Sequence, residues 1–185
     1  MRTDAERAKA LDELIDRQEI LDCVYRYSRG VDRLDPDIIR SAYHPGAIDD
    51  HGIFSGTVEE FVEWVQVFHR ERHEVHHHFI INHLCELDGD VAHTETYFIF
   101  AGKNTEGTPH SIHGGRYLDR FERRDGRWAI AARICLSEWA AGLGPLELPP
   151  VDREYPGTIA RDRTDTSYDR PLRTRQERAA QAPVS

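Results

Sequence analysis

One stretch decides the fold, and it reads Val75-His76-His77-His78-Phe79-Ile80-Ile81-Asn82-His83-Leu84-Cys85-Glu86-Leu87-Asp88-Gly89-Asp90. Residues 75–87 are rich in β-branched and aromatic side chains and are long enough to form a strand of a strongly curved sheet. The Asp-Gly dipeptide that follows supplies the positive φ of a tight hairpin. The stretch therefore predicts a long strand whose chain turns back into an antiparallel partner.

Three further segments continue this pattern. They are Val91 to Gly102, Ser111 to Arg123 and Trp128 to Trp139, and a second Asp-Gly dipeptide, Asp125-Gly126, separates the last two. Short turns between consecutive strands are typical of an antiparallel meander. The second half of the domain is therefore predicted to be a mostly antiparallel, strongly curved sheet.

Helical periodicity precedes this sheet. Apolar residues recur at helix spacing from Asp4 to about Val31, and Asp35-Pro36 is typical of the start of a second, short helix that ends near Tyr43. The capping box Thr57-Val58-Glu59-Glu60 begins a third helix, after a short extended segment from Ala47 to Phe54. Helices followed by a meander predict an α+β fold with the N-terminal helices packed on one face of the sheet.

The composition changes after Gly144. Residues 1–144 carry the predicted helices and strands, whereas residues 145–185 are rich in proline and mixed charges. We therefore expect one α+β barrel domain followed by a C-terminal arm. This arm is expected to be partly disordered, or to lie over a neighbouring subunit or the mouth of a pocket.

The charge balance excludes one class of partner. The formal net charge is -9, whereas nucleic-acid binding depends on clustered lysine and arginine. The sequence lacks the roughly 20 consecutive apolar residues of a membrane span, and its charged N-terminus is unlike a signal peptide. Cys23, Cys85 and Cys135 form no paired motif and are expected to be reduced thiols. We expect a cytoplasmic protein with no nucleic-acid or membrane partner.

Several of the eleven histidines crowd into the first long strand. His76 and His78 could chelate a metal from one strand face, with Asp49, Asp50 and His51 as further ligands. The spacing matches no specific metal signature, so the favoured interpretation has no metal. Both faces of this strand mix polar and apolar residues, and the pattern does not show which face looks into a pocket.

Asp32 lies at an unfavourable place for a carboxylate. It follows the predicted long helix, whose C-terminal end is the negative pole of the helix dipole. Either it caps the joint between two helices, or another group holds it there. Tyr27 belongs to the apolar stripe of the same helix and therefore points inward with Ile20, Val24 and Val31.

Three motifs, in their order along the chain, resemble a known family. They are Tyr27-x-x-x-x-Asp32, His78-Phe79-Ile80-Ile81-Asn82, and Gly114-Gly115-Arg116-Tyr117 leading to the segment from Glu122 to Trp128. Over about Leu11 to Trp139 the sequence resembles the SnoaL-like (polyketide-cyclase-like) branch of the nuclear transport factor 2-like superfamily. The resemblance implies a cone-shaped α+β barrel and a homo-oligomer, a dimer or a trimer.

The resemblance also implies an activity, because the similar enzymes include scytalone dehydratase, bile acid 7α-dehydratase and hexachlorocyclohexane dehydrochlorinase. By resemblance, His78 is the catalytic base, Asp32 orients it, and Tyr27 donates a hydrogen bond where negative charge develops. Asn82 and Arg133 match polar pocket positions. An imidazole with an ordinary pKa of about 6.5 is suited to remove a proton at neutral pH. The implied function is a dehydratase-like lyase that removes a proton and expels a β leaving group.

Aromatic residues outside these motifs are candidate pocket walls. They favour a small apolar, ring-bearing substrate, and they are Tyr43, Trp64, Phe68, Phe98 and Trp139. No cofactor is expected, because Gly114-Gly115 lies within a predicted strand and opens no helix, unlike a phosphate-binding loop.

Three alternatives remain open on the sequence. An isomerase or cyclase would use the same proton transfer without expelling a group. A non-catalytic binding or structural subunit, like the β subunits of ring-hydroxylating dioxygenases, would share the fold, since a fold does not determine a function. A metal-dependent enzyme would use the crowded histidines.

Overall fold

A computed structural model of the chain describes residues 2–144, 158–174 and 177. Within these residues the α-helices are α1 (Asp4–Asp32), α2 (Pro36–Ser41) and α3 (Val58–Arg72). The strands are β1 (Tyr43–Asp50), β2 (Ser55–Thr57), β3 (His73–Asp88), β4 (Val91–Asn104), β5 (His110–Arg124) and β6 (Arg127–Leu143). All predicted helices and long strands are present, with ends that differ by a few residues.

The strands form one sheet in the order β2-β1-β6-β5-β4-β3. Each strand from β3 to β6 is antiparallel to the next, and β1 joins β6 in the parallel direction. In the part of the chain that the structure describes, β2 and β3 are the two edges, so the cone does not close into a full barrel. The α+β class and the mostly antiparallel, curved sheet are confirmed.

Both Asp-Gly turns have the predicted conformation. Gly89 has a φ of 60°, and Asp125 and Gly126 have φ values of 51° and 75°. Positive φ at the turn matches the right-handed twist of the two strands that it joins. The pairing register continues to the last residues before each turn, so the turns fix how the strands pair.

Polar caps begin the helices where the sequence places them. Thr57 accepts the Glu60 N–H with its side chain, and the Glu60 carboxylate accepts the Thr57 N–H at 2.8 Å. At the start of α2, Asp35 accepts the N–H groups of Asp37 and Ile38 at 3.1 and 3.2 Å. Each such cap stabilises its helix by about 1 kcal/mol.

The hydrophobic core lies between the helices and the inner face of the sheet. The predicted stripe of α1 is buried, with at most 1% exposure at Ile20, Val24, Tyr27 and Val31. Nearer the N-terminus the same helix leaves Leu11, Leu14 and Ile15 exposed at 56%, 62% and 47%. The packing of α1 therefore rests on its C-terminal half. No helix in the described ranges combines the length and the apolar character that crossing a bilayer requires.

A bulge on β3 changes which side chains face the helices. Ile80 pairs with Phe98 and His83 pairs with Thr96, so that residues 81–82 together oppose one residue of β4. A bulge of this kind shifts the alternation of side chains by one position. The more buried positions of β3 accordingly change from even to odd numbers at this point.

A second bulge lies between β5 and β6. Gly114 pairs with Trp139 and Gly115 pairs with Ser137, which leaves one residue of β6 unpaired. A Cβ on Gly115 would lie 2.0 Å from the carbonyl oxygen of Leu136, so the two backbones approach closely here. Glycine therefore fits this place without movement of the neighbouring strand.

Residues 158–174 pack on their own chain. Tyr168 donates its hydroxyl to Asp35 at 3.0 Å, and the Arg33 guanidinium lies 4.0 Å from the Asp165 carboxylate. This part of the predicted arm therefore covers the joint between α1 and α2. The rest of the predicted arm lies outside the described residues, at 145–157, 175–176 and 178–185.

We expect Gly115→Ala to destabilise the fold, because the new methyl group meets a backbone oxygen that cannot rotate away. Overpacking of this kind costs roughly 1–3 kcal/mol. Gly144→Ala is the matched control, since no atom lies within 4 Å of the position that its Cβ would take. Urea denaturation followed by circular dichroism measures both, and a wild-type midpoint for Gly115→Ala would contradict the close approach.

Candidate active site

A cavity of about 160 Å³ opens between the helices and the inner face of the sheet. Three of the predicted wall residues, Trp64, Phe68 and Phe98, line it. Phe100 and Tyr117 complete the aromatic wall. The stacked rings of Phe98 and Tyr117, 4.3 Å apart, form a flat surface within it. The cavity is thus shaped for an apolar molecule with a flat face.

Asp32, the last residue of α1, meets His78 of β3. His78 donates its backbone N–H to both carboxylate oxygens at 3.0 and 3.1 Å, and its Nδ1 lies 2.7 Å from Asp32 Oδ1. Because a carboxylate only accepts, Nδ1 carries a proton, and in the neutral form of the ring the lone pair is on Nε2. The structure thus brings these two predicted residues together in the geometry of a base and its orienting carboxylate.

His78 also lines the cavity. The ring lies 5.2 Å from Phe100 and 6.4 Å from Phe98, measured between centroids. No group of the described residues hydrogen-bonds Nε2. A proton on a molecule that rests against these rings can therefore be accepted by Nε2.

Tyr27 reaches the same cavity from α1, although it is only 1% exposed. Its hydroxyl lies 3.3 Å from His51 Nε2. Burial raises the pKa of Tyr27 well above its ordinary value. The hydroxyl therefore keeps its proton at physiological pH and can donate it in a hydrogen bond.

A second histidine and carboxylate pair lies where β1 ends. Asp49 is fully buried and accepts both the Tyr43 hydroxyl and the Nδ1–H of His51. Burial opposes a charged ring at this place, but the Asp49 carboxylate outweighs it and raises the pKa of His51 to about 10. His51 also lines the cavity, which therefore has a protonated imidazole in its wall.

Arg133 is fully buried behind the cavity, so its expected place in the pocket wall is corrected. It pairs with Asp119 through two hydrogen bonds of 2.7 Å. Its guanidinium lies 4.0 and 4.1 Å from the ring centroids of Tyr27 and Tyr117. A planar guanidinium stacks well on aromatic faces, so Arg133 supports the two tyrosines from behind.

Three other expected pocket residues also lie away from the cavity. Asn82 is exposed on the outer face, because the bulge on β3 shifts the alternation before it. Tyr43 is buried in the core and its hydroxyl serves Asp49. Trp139 is 49% exposed and covers Gly114, because the second bulge turns it out of phase with the cavity-lining residues of β6.

Three buried histidines stand beside the candidate base, and one ring nitrogen of each of His69, His73 and His76 lies within 4.8 Å of the others. The rings of His69 and His76 are stacked, with centroids 3.9 Å apart and 11° between their planes. Ring lone pairs lie in the ring plane, so two stacked rings do not converge on one tetrahedral ion. Burial lowers the pKa of His76 to about 3 and that of His73 to about 4. The cluster therefore packs as a neutral aromatic wall.

The ligand set that the sequence suggested as an alternative is not assembled. Besides those three histidines, the close group of possible ligands in the described ranges is Asp32 with His76 and His78. His76 directs Nε2 to the Val31 carbonyl at 3.2 Å. Asp50, the other carboxylate suggested as a ligand, accepts the N–H of Gly52 at 2.8 Å in the turn after β1.

Sequence reasoning missed two groups of the cavity. Tyr117 could have been found, because it ends the quoted motif Gly114-Gly115-Arg116-Tyr117 and its aromatic ring alternates inward with Gly115. The pairing of Asp49 with His51 could not, because both residues precede a turn whose direction the local sequence does not show. They entered the prediction as possible metal ligands alone.

A curved sheet with helices over its inner face, enclosing an aromatic cavity with a histidine and carboxylate pair, defines a pocket protein of the cone-shaped, nuclear transport factor 2-like class. The chain belongs to the SnoaL-like domain family, whose model matches residues 12–134. The resemblance stated from the sequence is thereby confirmed. No curated protein matches the sequence.

Solved structures with the same fold include several enzymes. Hexachlorocyclohexane dehydrochlorinase LinA-type3 from Novosphingobium barchaimii superposes with a TM-score of 0.70 at 22% identity, over 77% of this chain and 99% of that one. A candidate scytalone dehydratase from Novosphingobium aromaticivorans gives 0.64 at 16% identity, over 77% and 97%. At these identities the likeness shows the fold.

The buried pair of Arg133 and Asp119 makes a sharp stability prediction. Asp119→Asn removes the carboxylate and leaves a buried guanidinium without its counter-charge, which typically costs about 3–5 kcal/mol. Glu138→Gln is the control, because its partner Arg116 lies at the surface and keeps Glu95, and such pairs contribute at most about 1 kcal/mol. Chemical denaturation measures the loss of stability in each variant. Equal losses would contradict the prediction that Arg133 is left without a counter-charge when Asp119 is replaced.

Proposed function

We propose that the protein is a lyase of the dehydratase type, which removes a proton from a small ring-bearing molecule and expels a β leaving group. The observation that carries the proposal is the 2.7 Å contact between His78 Nδ1 and Asp32, with Nε2 left free in an aromatic cavity. The dehydrochlorinase and the candidate dehydratase of the same fold support the reaction class.

The first step belongs to His78. In its neutral form, Nε2 takes a proton from a carbon next to an electron-withdrawing group such as a carbonyl. The Asp32 carboxylate holds the ring in the required tautomer and stabilises the imidazolium that forms. The electron pair of the broken C–H bond forms a double bond, and the bond to the β leaving group breaks. This step moves a proton and expels a group without a change of oxidation state, so the proposal includes no cofactor.

Tyr27 serves the same step from the other side. Its neutral hydroxyl can donate to an oxygen on which negative charge develops, and such a donor is worth most in a site from which water is excluded. The Arg133 guanidinium beneath its ring holds Tyr27 in place without entering the cavity.

The size of the cavity limits the substrate. A volume of about 160 Å³ is close to that of an apolar cavity of roughly 150 Å³ that binds benzene. Together with the aromatic wall, this favours a molecule with one ring and a short side chain over a larger polycyclic one.

We expect His78→Gln and Asp32→Asn each to reduce elimination at least 100-fold, since general base catalysis contributes about 10²–10⁴-fold. His77→Gln is the matched control, because this neighbour is exposed on the outer face of β3. The probe is β-chloropropiophenone, a one-ring ketone that loses its β group to give phenyl vinyl ketone, followed by ultraviolet absorbance. Wild-type rates in both variants would contradict the proposed base. A product with the mass of the substrate would indicate an isomerase instead.

We further propose that the protein is a cytoplasmic homo-oligomer. Free thiols at Cys23, Cys85 and Cys135 fit a reducing compartment. The exposed apolar side chains of Leu11, Leu14 and Ile15 on α1 fit a contact with a second copy.

Light scattering after gel filtration tests the self-association. We expect a dimer or trimer for the wild type and a smaller species for Leu14→Glu, because a buried charge opposes the contact. A monomeric wild type would contradict the proposal. Val67→Glu is the control, since Val67 is similarly exposed, at 56%, but lies on α3.

A further inference from the structure

We propose that His51 is the general acid of the site and that the departing group is therefore a hydroxyl, which leaves as water. This inference rests on the proposed lyase function and narrows its substrate class to β-hydroxy carbonyl compounds and similar alcohols. The sequence suggested His51 as a possible metal ligand, whereas the structure gives it a carboxylate partner and a place in the cavity wall.

The geometry holds the acid in one orientation. Nδ1 of His51 donates to Asp49, and the Tyr43 hydroxyl donates to the same carboxylate from the other side. The His51 ring stacks on Phe61 with centroids 5.1 Å apart and 19° between the planes. With Nδ1 engaged and one ring face covered, Nε2–H is the remaining donor; it faces the Tyr27 hydroxyl at 3.3 Å in this structure, and in the proposed step it donates to the departing oxygen instead.

The surroundings also keep this ring protonated. The groups that face it are the Asp49 carboxylate from β1, the Tyr27 hydroxyl from α1 and the Cys135 thiol from β6. Burial opposes the charge, but Asp49 and Cys135 both favour it, and the neutral Tyr27 phenol does not oppose it. Arg133 is paired with Asp119 and lies behind the Tyr27 ring. His44, at the other end of β1, shows the opposite outcome, because burial and then Arg124 and Arg127 lower its pKa to about 4.

The acid and the base flank one surface. His51 lies 6.3 Å from the Tyr117 ring, and His78 lies 6.4 Å from the Phe98 ring, while Tyr117 and Phe98 stack on each other. A ring-bearing molecule that rests on the stacked pair therefore has a proton acceptor near one end and a proton donor near the other.

This arrangement indicates which group leaves. A halide departs as a stable anion and needs no proton, whereas hydroxide is a poor leaving group unless a proton reaches it as the bond breaks. In the proposed step, His78 Nε2 takes the proton from carbon, the C–H electrons form the double bond, and the C–O pair passes to oxygen. Oxygen receives the proton of His51 Nε2 and leaves as water. His78 ends protonated and His51 neutral; His78 then releases a proton to solvent and His51 takes one up, which restores both.

A pair of probes with one common product tests the inference. β-Hydroxypropiophenone and β-chloropropiophenone both give phenyl vinyl ketone, and they differ in the group that leaves. We expect His51→Gln to slow loss of water at least 100-fold and loss of chloride less than about 3-fold. His78→Gln should slow both. An equal effect of His51→Gln on both probes, or no effect on either, would overturn the acid role.

A second variant separates loss of the acid from loss of the fold. Asp49→Asn keeps the His51 ring but removes the anion that holds its proton. We expect loss of water to fall about 100-fold at pH 8 and to recover toward the wild-type rate as the pH is lowered below 6, where the ring regains its proton. A pH-independent defect would contradict the acid role. His44→Gln, on the same strand outside the cavity, should match the wild type.

Nuclear magnetic resonance gives a readout that needs no substrate. In the ¹⁵N-histidine spectrum of the wild-type protein at pH 8, His51 should have the shifts of an imidazolium and His44 those of a neutral ring. A neutral His51 at this pH would overturn the inference. A wild-type protein that eliminates neither probe would contradict the proposed lyase, and the charge of His51 would then still decide whether the acid is present.

Discussion

The contact between Asp32 and His78 joins the two layers of the structure. Asp32 ends α1, where the helix dipole opposes a negative charge, and the carboxylate is stabilised there because the backbone N–H and the ring of His78 both donate to it. His78 lies on β3, an edge of the described sheet. The contact thus fixes the end of the longest helix against an edge strand. The same two donors, the backbone N–H and the ring Nδ1–H of His78, stabilise the carboxylate at the helix end, and the ring contact also sets the tautomer of the proposed base.

The histidines of the cavity show how surroundings decide the charge of one side-chain type. Burial lowers the pKa values of His73 and His76, and in His76 it outweighs the opposing effect of the Asp32 carboxylate 3.9 Å away. Burial acts on His51 in the same direction, but the Asp49 carboxylate outweighs it and raises the pKa of His51. A residue that prefers to be neutral and one that prefers to be charged therefore share one wall. Assignments of acid and base follow from such differences in environment, rather than from the residue type.

Much of the fold was predictable because its signals are local. The capping box at Thr57 and the Asp-Gly turns fix where elements begin and how strands pair, and each is contained in a few consecutive residues. The contact between Asp32 and His78 was predictable only from the resemblance. The local sequence showed no more than a carboxylate at an unfavourable helix end. Asn82 and Trp139 were misplaced because each follows a bulge, and a bulge depends on the pairing of two strands. The contact of His51 with Asp49 was not predicted for a similar reason, since it depends on the turn after β1.

The placement of charge also bears on what the cavity accepts. The Arg133 guanidinium is paired with Asp119, covered by two tyrosine rings and absent from the cavity lining, so it offers no free cation to an anionic substrate. The charge of His51 is balanced by Asp49, and its remaining N–H is one directional donor. A substrate carboxylate would lose its hydration on entering and would gain one hydrogen-bond donor in return. It would also be repelled by the nearby carboxylate of Asp32, so its binding is unfavourable. A neutral molecule with one or two oxygen atoms loses much less hydration on entering, which supports the proposal of an uncharged alcohol or ketone as substrate.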